Sequence, residues 1–480
     1  MDESRIGWIH QAVDDTTDAF RKISDEIWDL AELRFKELNS SKLLADSLKD
    51  CGFEVKWPVP YLETAFVASY GSGKPAVGLL AEFDALSGMS QTAGALHQEA
   101  RKGSENGHGC GHHLLGTAVV QAAVTIKKYL EETGKEGTII VFGCPAEEGG
   151  SGKTYMAREG VFDDVDVALT WHPGTHNAMF SSETLANIQA SFKFKGVSAH
   201  AAAAPHLGRS ALDAVELMNI GVNYLREHMP SDARVHYAVT DTGGNSPNVV
   251  QAHAEVLYLI RAPKMADVES LYERVVDIAK GASLMSGTEV SVRFDKACSN
   301  YMPNKTLGRL VSKQMLTIGA PVFAESDYEM ARQYRETFSQ GEIANDLREA
   351  KSLIGKGDVL FRKEYEQKVL SDVVIPLDEQ DRLLSGSTDV GDVSWKVPTA
   401  QFFSACAAIG TPMHTWQMVS QGKLPVAHRG SVSAAKFLTA TAIELFENPK
   451  WVDEAWEEHA EQLEGQDYRC PIPSGVYPQK

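Results

Sequence analysis

CPAEEGGSGKTYM, Cys144 to Met156, decides the fold, because it reads either as a phosphate cradle or as the edge of a metal site. GGSGKT resembles the close of a G-x-x-x-x-G-K-[ST] loop, in which backbone amides surround phosphate and a lysine meets its outer oxygens. If Gly152-Lys153-Thr154 closes that motif, the opening glycine falls at position 147, and that residue is Glu147, with Glu148 beside it. Two carboxylates repel phosphate where amides should receive it. What remains is an acidic pair at the end of the apolar run TIIVFG, an arrangement suited to metal-assisted chemistry.

Working outward, the 480 residues with 43% hydrophobic content suffice for a large core divided over two or more domains. A formal net charge of −19 argues against nucleic acid or an anionic membrane surface as the main partner. No run approaches the length of a membrane span, and MDESRIGWIHQAVDD lacks the features of a signal peptide, so a cytoplasmic location is expected. Six cysteines, Cys51, Cys110, Cys144, Cys298, Cys406 and Cys470, are too scattered for a disulfide framework. A special cysteine would then be a ligand or a nucleophile.

Strand-like and helical stretches alternate, the pattern of an α/β layer fold. Helical periodicity runs from about Ile6 into Leu33, followed by strand-like FEVKW, AFVASYGSG and AVGLLAEF, a long Ala-rich helix from His113, then GTIIVFG and DVALTW. Between residues 186 and 299 the order becomes strand, helix, strand, strand, helix, strand, which describes a ferredoxin-like α+β unit inserted into a larger mixed-sheet α/β domain. We therefore expect a larger domain in two parts, 1–185 and 300–480, interrupted by this unit at 186–299. An edge strand of the inserted unit offers a place for a second copy to pair, so a homodimer is expected. From about 320 to 384 charged residues dominate, and this stretch reads as a helical excursion with a surface loop.

The chemistry gathers at strand ends. GHGCGHHLLG separates Cys110 from His112 by one glycine, just before a helix. A glycine turn around a buried thiol would look the same, but the company changes the reading: Glu147-Glu148 ends one strand, His172 follows DVALTW, and His414 follows FFSACAAIG. In an α/β sheet such strand ends share one rim. A thiolate at Cys110 can bridge two divalent ions, with His112, Glu148, His172 and His414 supplying the other ligands. Glu147 is then the spare carboxylate, available to take a proton from water and return it to a leaving amine.

Together Cys110-Gly-His112, Pro145-Ala-Glu147-Glu148-Gly-Gly, Trp171-His172-Pro173, Gly196-Val-Ser-Ala-His200, Asn248-Val-Val and His414 resemble the M20 metallopeptidase family, in its amidohydrolase branch that includes auxin-conjugate hydrolases. The resemblance implies a two-metal hydrolase, using Mn²⁺ or Zn²⁺, that cleaves the amide between an aryl acyl group and glutamate, with 1–185 and 300–480 forming the α/β metallohydrolase (catalytic) domain and 186–299 an inserted dimerisation or lid domain. It carries Glu147 to the general-base position and Cys110, His112, Glu148, His172 and His414 to the metal positions, with Asp84 supporting a metal ligand from behind. It further implies that His200 reaches an active site, usually that of the partner protomer, to stabilise the oxyanion. Asn248 and Arg261 match residues that hold the substrate carboxylate, and Thr388 and Asp389 in STDVGDVSW are expected to line the same cleft. A related A-type subunit is a further expected partner.

Two departures stand out. His113 occupies a position where many of these amidohydrolases have Asp, and Glu82 stands where peptidase relatives carry a metal histidine. Within amide hydrolysis the alternative is a broader hydrolase of N-acyl amino acids, indoleacetyl-aspartate or dipeptides. Outside it, a metal-binding scaffold would have no need of Glu147 beside Glu148, and a nucleotide-dependent enzyme would need the missing glycine.

Overall fold

The computed structural model describes residues 2–354 and 359–479. The larger sheet has seven strands: β1 (Glu54–Lys56), β2 (Phe66–Ser72), β3 (Ala76–Glu82), β4 (Gly137–Cys144), β5 (Val167–Gly174), β6 (Ala178–Met179) and, later in the chain, β11 (Thr399–Ala405). Their order is β1-β2-β4-β3-β5-β11-β6. The four central strands β4, β3, β5 and β11 run parallel, and antiparallel pairings flank them on both sides. Every residue of β3 is buried, which is why AVGLLAE reads as an unbroken apolar run rather than an alternation.

Side chains of β3 alternate between two cores. Val77, Leu79 and Ala81 face a cluster with the helices His112–Thr133 and Pro425–Glu447, whereas Leu80 faces one containing Tyr155, Met156 and Phe162. Helices thus cover both faces of the parallel strands. Gly116 lets the helix His112–Thr133 cross close over β3, since a Cβ there would stand 2.5 Å from the Glu82 carbonyl oxygen. That crossing brings the helix start, with His112, to the end of β3.

The second sheet contains β7 (Ala186–Lys195), β8 (Arg234–Asp241), β9 (His253–Ala262) and β10 (Glu289–Cys298) in the order β10-β7-β9-β8, all antiparallel. The helices Ala211–Leu225 and Met265–Ser286 connect β7 to β8 and β9 to β10. Chain order and sheet order together give the ferredoxin-like arrangement expected from the sequence. Its core, including Ile188, Phe192 and Tyr258, is continuous with the core on one face of the large sheet.

Two local expectations change. The single helix expected from Ile6 into Leu33 is two helices, Glu3–Asp14 and Thr17–Leu30, because Thr16 turns its hydroxyl onto the Val13 carbonyl at the break. The charged stretch from 320 to 384 is helical, as Glu325–Glu336, Gln340–Leu353 and Val359–Tyr365, but it is packed rather than peripheral. Ala331, Tyr334 and Phe338 meet Leu370, Ala408 and Val426, while Ala350, Ile354 and Tyr365 meet Ala178, Ile375 and Ile409. Residues 355–358 of this stretch lie outside the described residues. Among the described residues no helix is long and apolar enough to cross a membrane.

Candidate metal centre and cleft

The C-terminal ends of the parallel strands place the candidate residues. Glu82 closes β3 directly opposite Cys144, which closes β4, and Glu147 and Glu148 follow three and four residues later. His172 lies in β5 opposite Phe403 of β11. The chain then reaches His414 by a loop in which His414 itself adopts a left-handed backbone (φ 57°), an unusual conformation for a histidine. Its amide donates to the Gly109 carbonyl at 3.0 Å, binding this loop to the one that carries Cys110.

Cys110 is the shared member. Its Sγ lies 3.6 Å from His172 Nε2 and 3.3 Å from His414 Nε2. Gly111, at φ 77°, makes the turn between Cys110 and His112; any Cβ there would press on Pro173 at 2.9 Å. Asp84 holds the opposite side: it accepts from His112 Nδ1 at 2.9 Å and from the Glu148 amide at 2.9 Å. With Nδ1 engaged, His112 presents Nε2 to the centre, where Glu82 Oε2 stands 3.2 Å away. His172 likewise engages Nδ1 with the Pro173 carbonyl at 2.8 Å, leaving Nε2 directed at the thiol.

Three groups of side chains present ligand atoms all within 4.8 Å of one another: Cys110, His112 and His172; Cys110, Glu148 and His414; and Glu82, His112 and Glu147. The first two share Cys110, the arrangement a bridging thiolate between two cations requires. The donor atoms also need a cation: Glu82 Oε2, His112 Nε2 and Glu148 Oε1 are buried without a hydrogen-bond partner. Burial, followed by the Glu147 and Asp84 charges, pushes the Glu148 carboxyl up to about 8. Burial and the neighbouring Glu82 raise Glu147 as well. A mixed sulfur, nitrogen and oxygen set of this kind fits a divalent metal.

The lysine of GGSGKT answers the question posed by that stretch. Lys153 is wholly buried, with Nζ 2.6 Å from Glu82 Oε1 and 2.6 Å from Asp389 Oδ1. Burial opposes its charge, but Asp389 and Glu82 hold the ammonium well above its ordinary value. It is therefore unavailable to a phosphate. Sequence reasoning missed this role, although a lysine set among apolar neighbours already calls for buried anions. Asp389, expected in the cleft, is itself buried against Lys153, and only Thr388 of that pair lines the cavity.

A cavity of about 420 Å³ opens onto the centre. Cys110, Glu147, Glu148, His172 and His414 all line it, as do Phe180, Phe403 and the segment 384–388. Arg261 reaches that segment, donating to Ser387 Oγ at 3.1 Å. His200 and Asn248 lie outside the cavity wall, at exposed positions of the inserted unit. His200 Nδ1 accepts from the amides of Ala202 and Ala203 at 3.2 and 3.1 Å, so the ring proton sits on Nε2. Two charged residues of the 320–384 stretch, Asp346 and Glu349, also line the cavity. Nothing in the sequence ties them to the distant motifs.

Fold and centre together define a metal-dependent hydrolase of the M20 peptidase and amidohydrolase family, to which this chain belongs. Residues 185–284 match the M20 peptidase dimerisation domain. Over 474 residues the chain is 51% identical to the B-type subunit of p-aminobenzoyl-glutamate hydrolase from Escherichia coli (strain K12), covering 98% of each chain. It is 29% identical over 253 residues to the A-type subunit of the same organism's hydrolase, covering 50% of this chain and 57% of that one. A solved Bacillus subtilis structure, described as a dinuclear metal-binding peptidase of the M20 family, shares the fold with TM-score 0.51 and 17% identity, covering 88% of this chain and 99% of that one.

Proposed function

We propose that this protein hydrolyses the amide of p-aminobenzoyl-glutamate, releasing p-aminobenzoate and glutamate. The observation that carries the proposal is the pair of ligand groups sharing Cys110, with the further carboxylate of Glu147 at the same cavity. The similarity to the B-type chain of the Escherichia coli hydrolase over 98% of both chains supports the choice of substrate. Cys110, His112, Glu148, His172 and His414 would hold two divalent ions, Mn²⁺ or Zn²⁺. When bound, such ions polarise the scissile carbonyl and make water a stronger acid.

The chain's own groups do the rest. Glu147, raised by burial and by Glu82, takes a proton from the attacking water and returns it to the leaving nitrogen of glutamate. Asp84 fixes the His112 tautomer, and Lys153 neutralises the far oxygen of Glu82 so that this carboxylate does not repel the substrate. Arg261, which donates to Ser387 at the cavity wall, would pair with a substrate carboxylate, and Asn248, in an exposed loop, would do so only at the cleft of a partner protomer. His200, which is exposed and does not line its own cavity, serves as oxyanion donor in the cleft of a partner protomer. The partner is a second copy joined through the inserted sheet, or a related A-type subunit. Free thiols at all six cysteines suit a cytoplasmic setting.

A substrate panel tests the reading. Metal-loaded protein should release glutamate from p-aminobenzoyl-glutamate faster than it cleaves indoleacetyl-aspartate or β-alanyl dipeptides. The reverse order would replace this substrate with the broader N-acyl class.

A further inference from the structure

The helix Gln340–Leu353 gives the cleft a wall with two faces. Leu347, Ala350 and Ile354 pack into the small core with Tyr365 and Ile409. Asp346 and Glu349, three residues apart, line the cavity, as does Leu353, which also packs against that core. Asp346 is fully engaged: it accepts from Thr175 Oγ1 at 2.8 Å and the Gly410 amide at 2.6 Å, and lies 3.2 Å from His176 Nε2. Through these contacts it anchors the helix to the loops that follow β5 and β11. Glu349 differs: it is exposed to solvent, and its carboxylate makes no hydrogen bond or ion pair with any described residue. A free acceptor therefore faces a cavity whose neighbouring surface, from Phe180, Phe403, Leu353 and Leu384, is apolar and partly aromatic.

Resting on the function proposed above, we infer that Glu349 selects the acyl group, accepting a hydrogen bond from an amino group at the far end of an aromatic acid. The two carboxylates of glutamate would be repelled by Glu349 beside Asp346, and they have Arg261 available at the 384–388 wall. The aryl ring is uncharged and matches the apolar surface; its 4-amino group is a neutral donor that matches the Glu349 carboxylate. An acyl group without that donor leaves the carboxylate to be desolvated without a partner, which is how a polar site rejects an isostere.

The test compares kcat/KM for p-aminobenzoyl-glutamate and benzoyl-glutamate in the metal-loaded wild type, Glu349→Gln and Glu349→Leu. The wild type should favour the amino compound by about ten- to a hundredfold, Glu349→Gln should keep part of that preference, and Glu349→Leu should bring the ratio to within about threefold of unity. Because each ratio is internal to one protein, a loss of folded material cannot imitate the effect, and Glu349→Gln carries the comparison if Glu349→Leu is unstable. A wild-type ratio near unity, or the full preference surviving in both variants, overturns the inference while leaving the amide hydrolysis intact. Wild-type protein that cleaves indoleacetyl-aspartate but neither benzoyl compound overturns the proposed function itself, and this inference with it.

Discussion

Lys153 Nζ lies 2.6 Å from Asp389 Oδ1, joining the start of the short helix Gly152–Arg158 after the acidic pair to the segment that precedes β11, 236 residues further along the chain. Glu82 completes the contact at the end of β3, so one ammonium compensates two buried carboxylates beneath the candidate centre. Removing the cation alone should therefore be costly. Lys153→Met is expected to lower unfolding free energy by about 3–5 kcal/mol in urea titrations, the usual consequence of orphaning buried charge. A loss below about 1 kcal/mol would show that the carboxylates find another partner. The same burial predicts that ATP gives no thermal protection.

Cys110→Ala should lower bound metal and turnover in parallel, because the only side chain common to the first two ligand groups disappears. Elemental analysis alongside glutamate release makes the comparison. Full activity at normal metal content would rule out the thiol as a bridge.

Asp84→Asn isolates the support behind His112. The carboxylate accepts from both His112 Nδ1 and the Glu148 amide, so its loss disturbs two ligands while leaving them present. Metal affinity should fall by about ten- to a hundredfold, the range for such supporting groups. Unchanged metal titration curves would assign Asp84 to packing alone.

His200→Ala should keep its metal yet lose about a hundred- to a thousandfold in kcat, the scale of a lost oxyanion donor. Mixing it with Glu147→Gln protein tests sharing between protomers. Activity recovered after verified exchange of protomers supports a shared site. Its absence would assign His200 to its own chain's cleft.

Much of this architecture was legible because local patterns carry it. The unbroken burial of β3, the strand and helix alternation of the inserted unit, and the glycine between Cys110 and His112 are all properties of short windows. The candidate ligands could be grouped because parallel strand ends share a rim. What escaped was decided by long-range packing. Lys153 looked like half of a phosphate loop until Asp389 was beside it, and Asp389 looked like a cleft residue for want of Lys153. Asp346 and Glu349 sit in a charged stretch whose polarity suggested solvent, whereas Thr175 and Gly410 draw the helix against the cleft. The break at Thr16 is held by side-chain contacts from Thr16, Thr17 and the distant Gln121 to the Val13 carbonyl, which helical periodicity does not register.

The most direct test of the central claim is glutamate release from p-aminobenzoyl-glutamate by purified protein, stripped of metal and then supplied with Mn²⁺ or Zn²⁺, with Glu147→Gln measured beside the wild type. We predict no release without metal, restored release on adding the ion, and metal-replete but inactive Glu147→Gln. Release that persists after verified removal of metal, or full turnover by Glu147→Gln, would contradict a metal-dependent hydrolase built on Cys110 and Glu147.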